Sequence, residues 1–458
     1  MKLSSEDVTK PYVADASGDA LQEAFQAGNI NVAVYGLGKM GLPVATVFAN
    51  ITSRVFGVDV DPSVVEQING GTCPVSGEPR LPGLVRASVE AGSFRATTDG
   101  REAARWADFH LVLVPTVIDE AARTDLSHLE SAVRDVGAGL EAGDMVVIES
   151  TVPPGTCADV IQPTLVEESG LDPDEFGLAA CPERTRSGRA LRDIRAAYKR
   201  VVGGVDDRST EVARHVYDLV TTKGVVPVAD ATTAECVKVF EGVYRDVNIA
   251  LANELARFAD ELDVDVNDAI EAANTQPFCD VHRPGIGVGG HCIPYYPYFL
   301  INDHDTGSPL MQTARRVNDG MPRFAAAKLT ELLEERNLDV EDATVLVLGL
   351  TYRPGVEETR ETPAKPIIEY LNVRGATVLA ADPVLDDPSS FETIDVLVDD
   401  VDSMDPDAAV LVTAHEAFEG IDWSNMDPMV VVDGRAALDL EDSHHAVYTI
   451  GGGLHVPE

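Results

Sequence analysis

A glycine-rich turn that follows a short apolar segment is the feature that most constrains the fold of this chain. Residues 31–35 (NVAVY) have the composition of a buried strand, and GLGKMG follows at residues 36–41, after which apolar residues recur at helical spacing. In a strand–turn–helix unit of this kind, the first glycine allows the tight turn, the second admits a diphosphate to the backbone, and the third lets helix and strand approach closely. The helix N-terminus then faces the phosphates. The sequence therefore predicts a dinucleotide site at Gly36, Gly38 and Gly41.

An acidic residue stands where such a site needs a ribose ligand. Residues 55–59 (VFGVD) indicate a second strand that ends at Asp59, 18 residues after Gly41. A carboxylate there accepts hydrogen bonds from the adenosine ribose and repels a 2′-phosphate, which favours NAD over NADP. The alternative is a glycine-rich turn in a Rossmann-like fold that holds no cofactor.

Strand-like and helix-length segments alternate along the rest of the chain. Further strands are expected at 111–114, 145–148, 344–348 and 377–380, and residues 232–262 form a long helical pattern. Such alternation is typical of parallel, doubly wound sheets. We therefore predict an α/β chain with an N-terminal Rossmann NAD domain, a helical connector and a C-terminal Rossmann-like domain. The expected boundaries are an acidic tail or cap at 1–29, then 30–222, 223–325 and 326–458.

The charge of the chain bears on its surroundings and on the partners it excludes. The 458 residues, enough for two to four domains, include 77 acidic and 35 basic side chains, and the formal net charge is -42. Only 8 of the basic residues are lysines. A chain this acidic repels nucleic acid and anionic membranes. The dispersed excess fits a soluble enzyme of a high-salt cytoplasm, where counterions screen self-repulsion, and the alternative is an acidic mesophile protein.

Targeting and metal signals are weak. Apolar runs stay below the ~18 residues that a membrane-spanning helix needs, and residues 1–10 are polar, so we expect a cytoplasmic chain. The cysteines form no CxxC pair, and therefore neither a disulfide framework nor a zinc site is expected. Most of them are expected to be small buried apolar side chains: Cys73, Cys157, Cys181, Cys236 and Cys279, with Cys292 as the exception.

Cys292 ends a loop that is unusually rich in glycine. Residues 284–294 read PGIGVGGHCIP, with four glycines in front of the cysteine. Such a loop can bring backbone N–H groups close to a ligand while the thiol projects from it. A thiol beside a nicotinamide suggests covalent catalysis, in which an aldehyde is trapped as a thiohemiacetal, loses a second hydride and becomes a thioester.

At this point the chain resembles the UDP-glucose/GDP-mannose dehydrogenase family, from about residue 31 to the C-terminus. The motifs that carry the resemblance occur in order: GLGKMG at 36–41, ESTVPPG at 149–155, CPER at 181–184, AECVK at 234–238, Asn248 through Asn253 and Glu254, GGHCIP at 289–294, and ETRETPA at 358–364. The resemblance implies an NAD domain, a helical connector used for homodimerisation, and a C-terminal domain that binds UDP. It also implies oxidation of a sugar C6 alcohol to a carboxylate with two NAD and one water.

The resemblance assigns roles to matching residues. It implies that Cys292 is the nucleophile, that Lys238 stabilises oxyanions on O6, that Thr151 positions water or nicotinamide, and that Glu183 is the base for thioester hydrolysis. The implied cofactor-binding residues are Gly36, Leu37, Gly38, Lys39, Met40, Gly41, Asp59, Thr116 and Thr151, and the implied substrate-binding residues are Glu183, Arg184, Lys238, Arg283, Gly289 and Arg360. Structural alternatives stay open: a solvated Lys238, a Glu183–Arg184 pair, and an Arg360 that supports a helix start at Thr362 and Pro363.

Two positions depart from the family pattern. Gly242 stands four residues after Lys238, where the family usually has Asn, and Tyr296 stands four residues after Cys292, where it usually has Asp. Glycine inside a helix costs somewhat under about 1 kcal/mol, which indicates close packing at Gly242. We predict that the Tyr296 ring fills the space freed at Gly242 and that its hydroxyl supplies the lost hydrogen bond. The alternative is a degenerate site that does not complete the second oxidation.

The motifs also favour one branch of the family. CPER and GGHCIP are more similar to dehydrogenases of UDP-N-acetylhexosamines, and Ser187 stands where the glucose branch often has an acidic residue. The expected substrate is UDP-N-acetyl-D-mannosamine, with UDP-N-acetylglucosamine and UDP-glucose or UDP-galactose as alternatives, and the setting would be the synthesis of surface polysaccharides. A non-catalytic regulator that binds NAD or a nucleotide sugar is the remote alternative. A two-electron dehydrogenase would need neither the cysteine loop nor a second α/β domain.

Overall fold

A computed structural model describes residues 8–13, 17–119, 121–186, 188–385, 387–391, 394, 396–397, 400–440 and 442–456 of the chain. Ser187, on which part of the sugar prediction rests, lies outside the described residues. The chain divides into a first unit, Met1–Glu241 with Tyr298–Asp303, and a second unit, Gly242–Pro297 with His304–Glu458. Among the described residues, no helix combines the length and the apolar character needed to cross a bilayer.

The first unit is organised around a mostly parallel sheet. Its described strands are β1 (Val32–Tyr35), β2 (Val55–Val58), β3 (Phe94–Thr97), β4 (Phe109–Val112), β5 (Val117–Ile118), β6 (Thr124–Asp125), β7 (Met145–Ile148), β8 (Gly177–Ala180), β9 (Arg200–Gly204) and β10 (Val225–Pro227). The sheet order is β10-β9-β8-β7-β4-β1-β2-β3, whereas β5 and β6 form a separate antiparallel ribbon. Within the large sheet, β8 and β9 are the antiparallel pair. The strand order reverses at β1, between β2 and β4, where open α/β sheets bind ligands.

Helices connect these strands. In the described part of the first unit they are α1 (Gly18–Gln26), α2 (Gly41–Thr52), α3 (Pro62–Asn69), α4 (Leu81–Glu90), α5 (Gly100–Trp106), α6 (Ser127–Gly137), α7 (Gln162–Ser169, preceded by a π turn at Cys157–Ile161), α8 (Ala190–Ala196) and α9 (Asp207–Val220). The continuous apolar character of the central strands is explained by burial on both faces of the sheet. In β1, for example, Val32 and Val34 belong to one core, and Ala33 and Tyr35 belong to the other.

The described residues before β1 pack against the first unit. Helix α1 is capped by Ser17, whose hydroxyl accepts a hydrogen bond from the Ala20 N–H, and it buries Leu21 and Phe25 in the core. The ring of Phe25 meets Phe109 edge-on at 5.3 Å between centroids. The Lys10 ammonium lies 2.8 Å from Asp144 and 3.1 Å from Asp108. The described residues of this segment are therefore packed onto the first unit rather than extended away from it.

The second unit contains another parallel sheet. Its described strands are β11 (Thr344–Leu348), β12 (Thr377–Ala381), β13 (Val396–Leu397), β14 (Ala408–Leu411), β15 (Val430–Asp433), β16 (Ala446–Thr449) and β17 (Gly453–His455), in the order β13-β12-β11-β14-β15-β16-β17. All neighbours are parallel except the terminal pair β16 and β17. The strand order reverses at β11, between β12 and β14, as it does at β1. The predicted α/β class with two Rossmann-like units is confirmed.

Long helices account for the predicted connector. Helix α10 runs from Ala231 to Ala256 and is followed by α11 (Ala259–Leu262), α12 (Val266–Ala273), α13 (Cys292–Tyr295), α14 (Tyr298–Ile301) and α15 (Pro309–Glu335), which extends past the predicted boundary at 325. Helix α16 (Ala364–Asn372) lies outside the predicted connector, between β11 and β12. Short 3₁₀ turns lie at Val340–Asp342, Pro388–Ser390, Val401–Ser403, Glu416–Gly420 and Trp423–Asn425. The single helix predicted over 232–262 is interrupted near Arg257, because the Arg257 and Phe258 amides bond to carbonyls three residues back and tighten the turn.

Candidate active site

The glycine turn of the first unit is closed on its inner side and open on its outer side. Gly36 has a φ of +91°, and a Cβ on it would lie 2.3 Å from the Leu113 carbonyl oxygen. A Cβ on Gly41 would lie 1.8 Å from the Gly36 carbonyl oxygen, so α2 and β1 could not approach as they do with any side chain there. A Cβ on Gly38, in contrast, would meet no atom of the described residues within 4 Å apart from its chain neighbours. A diphosphate can therefore reach the backbone at Gly38.

Asp59 braces this turn. Its Oδ2 accepts a hydrogen bond from the Leu37 N–H at 2.8 Å, and its Oδ1 accepts one from the Asp61 N–H at 3.0 Å. Each carboxylate oxygen has two lone pairs, so the half-buried group can also accept hydrogen bonds from a ribose. The sequence indicated the ribose ligand but not this second, structural role.

Residues at the ends of β4 and β7 add polar atoms to the same unit. The Ser150 hydroxyl joins the two strand ends, since it accepts from the Val114 N–H at 2.9 Å and donates to the Val114 carbonyl at 2.8 Å. Thr151 follows directly and is half-buried. The Thr116 hydroxyl is buried and finds no hydrogen-bond partner among the described residues. A buried hydroxyl that has no protein hydrogen-bond partner, together with the open glycine turn, fits a bound dinucleotide.

Lys39 and Met40 complete the turn. Lys39 is exposed, and the Met40 sulfur, at the N-cap of α2, accepts a hydrogen bond from the Thr185 hydroxyl at 3.0 Å. Thr185 also donates its backbone N–H to Glu183 at 2.5 Å. The segment that carries Glu183 is therefore tied to the glycine turn within the first unit.

A buried arginine organises the acidic residues beside this segment. Arg200 is 1% exposed; its guanidinium lies 2.5 Å from Glu149 and 3.7 Å from Glu183. The Tyr217 hydroxyl donates to Glu149 at 2.5 Å. Burial raises the pKa of Glu149, while Arg200 and the Tyr217 hydrogen bond oppose the rise. Sequence reasoning missed Arg200, because its partners lie 51 and 17 positions away along the chain.

The Glu183–Arg184 pair that the sequence left open is wrong. Arg184 pairs instead with Glu241, lies 5.3 Å over the Tyr198 ring, and donates to the Lys199 carbonyl at 3.1 Å. Glu183 faces the buried Arg200. Adjacent residues in an extended segment point in opposite directions, which separates the two side chains.

Lys238 lies on the part of α10 that belongs to the first unit. Three residues earlier, Glu235 accepts hydrogen bonds from the Gly155 and Cys157 amides at 2.7 and 2.8 Å. Gly155 ends the ESTVPPG segment and Cys157 begins the π turn, so the carboxylate fixes the loop that follows Thr151. Residues three apart share a helix face, and the half-buried Lys238 is therefore on the same side of α10 as this loop.

The cysteine loop of the second unit is held by backbone hydrogen bonds. The amides of His282 and Gly285 donate to Asn248 and Asn253 of α10 at 2.7 and 2.9 Å. The amide of Ile286 donates to the Gly434 carbonyl, and that of Gly290 to the Arg360 carbonyl, both at 2.9 Å. Arg283 lies exposed at the start of this loop.

Packing within the second unit explains why the loop needs its glycines. Gly287 and Gly290 have φ values of +140° and +81°. A Cβ on Gly289 would lie 2.6 Å from the Tyr352 Cβ and 2.9 Å from the Glu361 carbonyl oxygen. The glycines therefore let the loop lie directly on the 352–361 segment, a reason that the sequence did not reveal.

Tyr296 packs against Gly242 of α10, the other position that departs from the family pattern. A Cβ on Gly242 would lie 2.5 Å from Tyr296 Cδ2 and 3.0 Å from its Cβ, and Tyr296 is 8% exposed. The ring therefore occupies the space that a side chain at 242 would need, as the two departures together suggested. Substitution at either position alone would leave a clash or a cavity.

Side chains around Cys292 come from its own loop and from the 352–361 segment. Cys292 begins α13 and is half-buried, and His291 precedes it. His291 Nδ1 lies 3.8 Å from Glu358 Oε1, and Arg360 Nε lies 3.8 Å from the same oxygen. The Tyr295 hydroxyl donates to Glu361 at 3.2 Å. The other cysteines are free thiols; Cys157 and Cys181 are buried, but Cys73, Cys236 and Cys279 are half-buried, so burial is less general than expected.

The Arg360 side chain is directed to Glu358 rather than to the start of α16. The helix begins at Ala364, and the Thr362 hydroxyl accepts a hydrogen bond from the Ala364 N–H at 3.3 Å. The N-cap position is therefore Pro363, one residue later than predicted, and it has no side-chain cap, although the Thr362 hydroxyl still reaches the first helical amide. The Arg360 carbonyl accepts from the Gly290 amide.

Similarity to known families and relatives identifies this chain, with its open dinucleotide turn and its cysteine loop, as an NAD-dependent nucleotide-sugar dehydrogenase. It belongs to the UDP-glucose/GDP-mannose dehydrogenase family. The NAD binding domain of that family matches residues 30–221, its central domain residues 232–320, and its UDP binding domain residues 346–440.

Individual relatives agree with this assignment. The UDP-N-acetyl-D-mannosamine dehydrogenase of Pyrococcus horikoshii is 36% identical over 411 residues, which cover 89% of this chain and 95% of the relative. The NDP-N-acetyl-D-galactosaminuronic acid dehydrogenase of Ralstonia nicotianae is 34% identical over 415 residues, covering 88% and 95%. The solved structure of the UDP-D-ManNAc dehydrogenase from Pyrococcus horikoshii superimposes with a TM-score of 0.85 and covers 92% of this chain and 99% of that one, at 34% identity.

Proposed function

We propose that this protein oxidises the C6 alcohol of UDP-N-acetyl-D-mannosamine to the carboxylate of the corresponding uronate, for use in surface polysaccharides. The observation that carries the reaction type is the Cys292 thiol at the end of a braced glycine loop, because a two-electron dehydrogenase needs no such nucleophile. The choice of sugar is supported by the name of the Pyrococcus horikoshii relative and by the CPER and GGHCIP motifs.

Three side chains have separate roles in the proposed reaction. When bound, NAD⁺ accepts one hydride in each of the two oxidations. Cys292 adds through sulfur to the C6 aldehyde, giving first a thiohemiacetal and then a thioester, which water cleaves to restore the thiol. Lys238 stabilises negative charge on O6, and Glu183 takes a proton from the attacking water.

Further residues hold the reactants in this proposal. Gly36, Gly38 and Gly41 admit the diphosphate, Asp59 binds the ribose, and Thr116 and Thr151 bind polar atoms of the cofactor or the water. Leu37, Lys39 and Met40 shape the turn, while Arg184, Arg283, Gly289 and Arg360 contact the sugar nucleotide. Arg184 and Arg360 already have carboxylate neighbours, so substrate phosphates would share their charge with Glu241 and Glu358.

The decisive experiment is NADH yield per sugar. The pure protein in molar KCl receives limiting UDP-N-acetylmannosamine, and separately UDP-N-acetylglucosamine, UDP-N-acetylgalactosamine, UDP-glucose and UDP-galactose. We expect two NADH per molecule of the first sugar. One NADH with sugar attached to Cys292 would show that the site stops before hydrolysis, and none with any sugar would favour the regulator. Loss of activity at about 0.1 M KCl supports a high-salt protein.

Tyr296 is proposed to replace the carboxylate that the family usually carries four residues after the cysteine. Its contact with Gly242 supports this pairing. Tyr296→Phe keeps the ring and removes the hydroxyl, so we expect turnover to fall strongly while the Kd for NAD is unchanged. Tyr370→Phe is the matched control, because that tyrosine lies elsewhere, on α16. Equal kinetics of wild type and Tyr296→Phe would contradict the role.

We also propose a homodimer in which α10 pairs with a second copy. Beyond the family resemblance, the support is an apolar stripe on the part of α10 and the following turn that belongs to the second unit. Tyr244, Leu251, Leu255 and Phe258 recur at helical spacing and are 52%, 50%, 36% and 44% exposed in the single chain. Light scattering in molar KCl is expected to give twice the chain mass of 48.9 kDa, whereas a monomer mass would contradict the proposal.

A further inference from the structure

We propose that His291 and Glu358 activate Cys292: the imidazole takes the thiol proton, and the carboxylate holds the resulting imidazolium in place. This inference rests on the proposed function, since it requires Cys292 to be the nucleophile. His291 acts directly on the reacting sulfur, whereas Glu358 acts through His291 and is a positioning residue.

The geometry places these groups together within the second unit. His291 is the N-cap residue of α13 and Cys292 its first residue, so the two side chains leave the same turn of backbone. His291 Nδ1 lies 3.8 Å from Glu358 Oε1. That separation exceeds a direct hydrogen bond, and the attraction between imidazolium and carboxylate is therefore electrostatic. The Glu358 side chain is 18% exposed and the His291 side chain 43%, so solvent screens the attraction more on the histidine side than on the carboxylate side.

Backbone contacts fix the two segments against each other. The Gly290 amide donates to the Arg360 carbonyl at 2.9 Å, immediately beside His291. On the opposite segment, the Tyr352 amide donates to the Glu358 carbonyl at 3.0 Å. A Cβ on Gly290 would lie 2.9 Å from the Tyr352 ring. Glycine at 290 therefore brings His291 and Glu358 within electrostatic range.

The charges around His291 favour its protonated form. Its interaction with Cys292 and then its interaction with Glu358 raise the pKa of His291 to about 9, against the opposing effect of burial. Arg360 competes for Glu358 at 3.8 Å, and Glu361 is engaged by the Tyr295 hydroxyl. Burial raises the pKa of Tyr352, which keeps this neighbour neutral. An imidazolium beside a thiol stabilises the thiolate, the form that attacks carbonyl carbon.

The proposed step conserves atoms and electrons. The Cys292 proton moves from Sγ to the imidazole, and a sulfur lone pair then forms the C–S bond to the C6 aldehyde carbon. The carbonyl π pair moves to O6, which takes up the proton from the imidazolium. No oxidant or reductant takes part, because addition of a thiol to an aldehyde leaves the oxidation level unchanged.

The test measures thiol reactivity without turnover. Iodoacetamide alkylation of Cys292 is followed against pH by mass spectrometry of its peptide, in wild type, His291→Gln, Glu358→Gln and the control His304→Gln, which alters an exposed histidine of the same unit. We expect His291→Gln to move the midpoint of the pH profile upward by at least about one unit, and Glu358→Gln to move it less in the same direction. At pH 7 the rate should fall at least about threefold, since the higher intrinsic nucleophilicity of a more basic thiolate offsets part of the loss.

Each outcome decides between two separate claims. Superimposable profiles for wild type and both variants would overturn the activation of Cys292, and the Glu358→Gln profile serves as the test if His291→Gln does not fold. If Cys292→Ser still yields two NADH per sugar, the nucleophile role that the proposed function gives to Cys292 fails whatever the alkylation shows. Loss of NADH in Cys292→Ser with unchanged alkylation profiles would leave the proposed function standing and reject this inference alone.

Discussion

The two Rossmann-like units begin with nearly the same turn. Gly36 has a φ of +91° and Gly349 a φ of +92°, and each glycine directly follows the strand at which its sheet reverses order. The next amide in each turn donates to an aspartate that follows the neighbouring strand: Leu37 to Asp59 at 2.8 Å and Leu350 to Asp382 at 2.7 Å. The backbone solution is therefore shared.

The two turns differ at their third residue, which leaves space beside the backbone in the first unit and fills it in the second. In the first, Gly38 faces open space. In the second, the corresponding residue is Thr351, which is fully buried and whose hydroxyl contacts both Asp382 and His415 at 2.9 Å. A glycine–aspartate turn alone therefore defines the fold twice but leaves room for a diphosphate at this position only once.

The largest expected effect comes from closing the open turn. Gly38→Thr copies the residue found at the same place in the second unit and fills the space that the diphosphate needs. We expect the Kd for NAD to rise at least about 100-fold, or about 2.7 kcal/mol, in a fluorescence titration. Little loss of stability is expected, because an added Cβ meets open space.

A glycine elsewhere provides the control for this substitution. Gly83 is exposed on α4, and a Cβ there also meets no atom within 4 Å, so Gly83→Thr adds the same side chain without a clash and should leave NAD binding unchanged. If Gly38→Thr binds NAD as wild type does, the open turn is not where the diphosphate binds.

The second-largest effect is expected from removing the buried Thr351 hydroxyl, which fills the turn of the second unit. Thr351→Val keeps the shape and removes the hydroxyl, which leaves the buried Asp382 and His415 each without one partner. We expect the free energy of unfolding to fall by about 1–3 kcal/mol, measured by chemical denaturation in molar KCl, with the Kd for NAD unchanged. The exposed Thr377→Val should change stability by less than about 0.5 kcal/mol. Equal losses in the two variants would mean that the buried contacts add nothing.

This comparison also shows which features the sequence could predict. The turn at Gly36 and Asp59 was predictable, because its residues lie in one strand–turn–helix unit with a local spacing rule. Gly349 and Asp382 form the corresponding pair in the second unit. The residue that closes their turn, Thr351, is held by His415, which lies 64 positions further along the chain.

Long-range contacts account for the rest of what was missed. Arg200 becomes important only because folding buries it between Glu149 and Glu183, and Glu235 only because the loop after Thr151 folds onto α10. The contact of Gly242 with Tyr296 was predictable, since two departures from a resembling family pointed to each other. Where neither local spacing nor such a paired departure existed, the sequence carried no signal.

The smallest effect concerns acid stability of the closed turn. Burial alone would raise the pKa of Asp382, but hydrogen bonds from His415, the Thr351 amide and the Val384 amide hold that pKa well below its usual range. A carboxyl whose pKa is depressed on folding contributes stability above its unfolded pKa of about 3.9. That contribution is lost as the pH falls through its folded pKa.

Below about pH 4, wild type should therefore lose more stability per pH unit than Asp382→Asn, by at most about 1.4 kcal/mol for one proton. Unfolding curves recorded between pH 5 and pH 2.5 in molar KCl measure this difference in slope, and it is the slope that matters because Asp382→Asn also lowers stability at every pH. Parallel slopes would mean that Asp382 binds its proton equally well in the folded and unfolded chain, and the closed turn would then owe its stability to packing around Thr351 rather than to the buried charge.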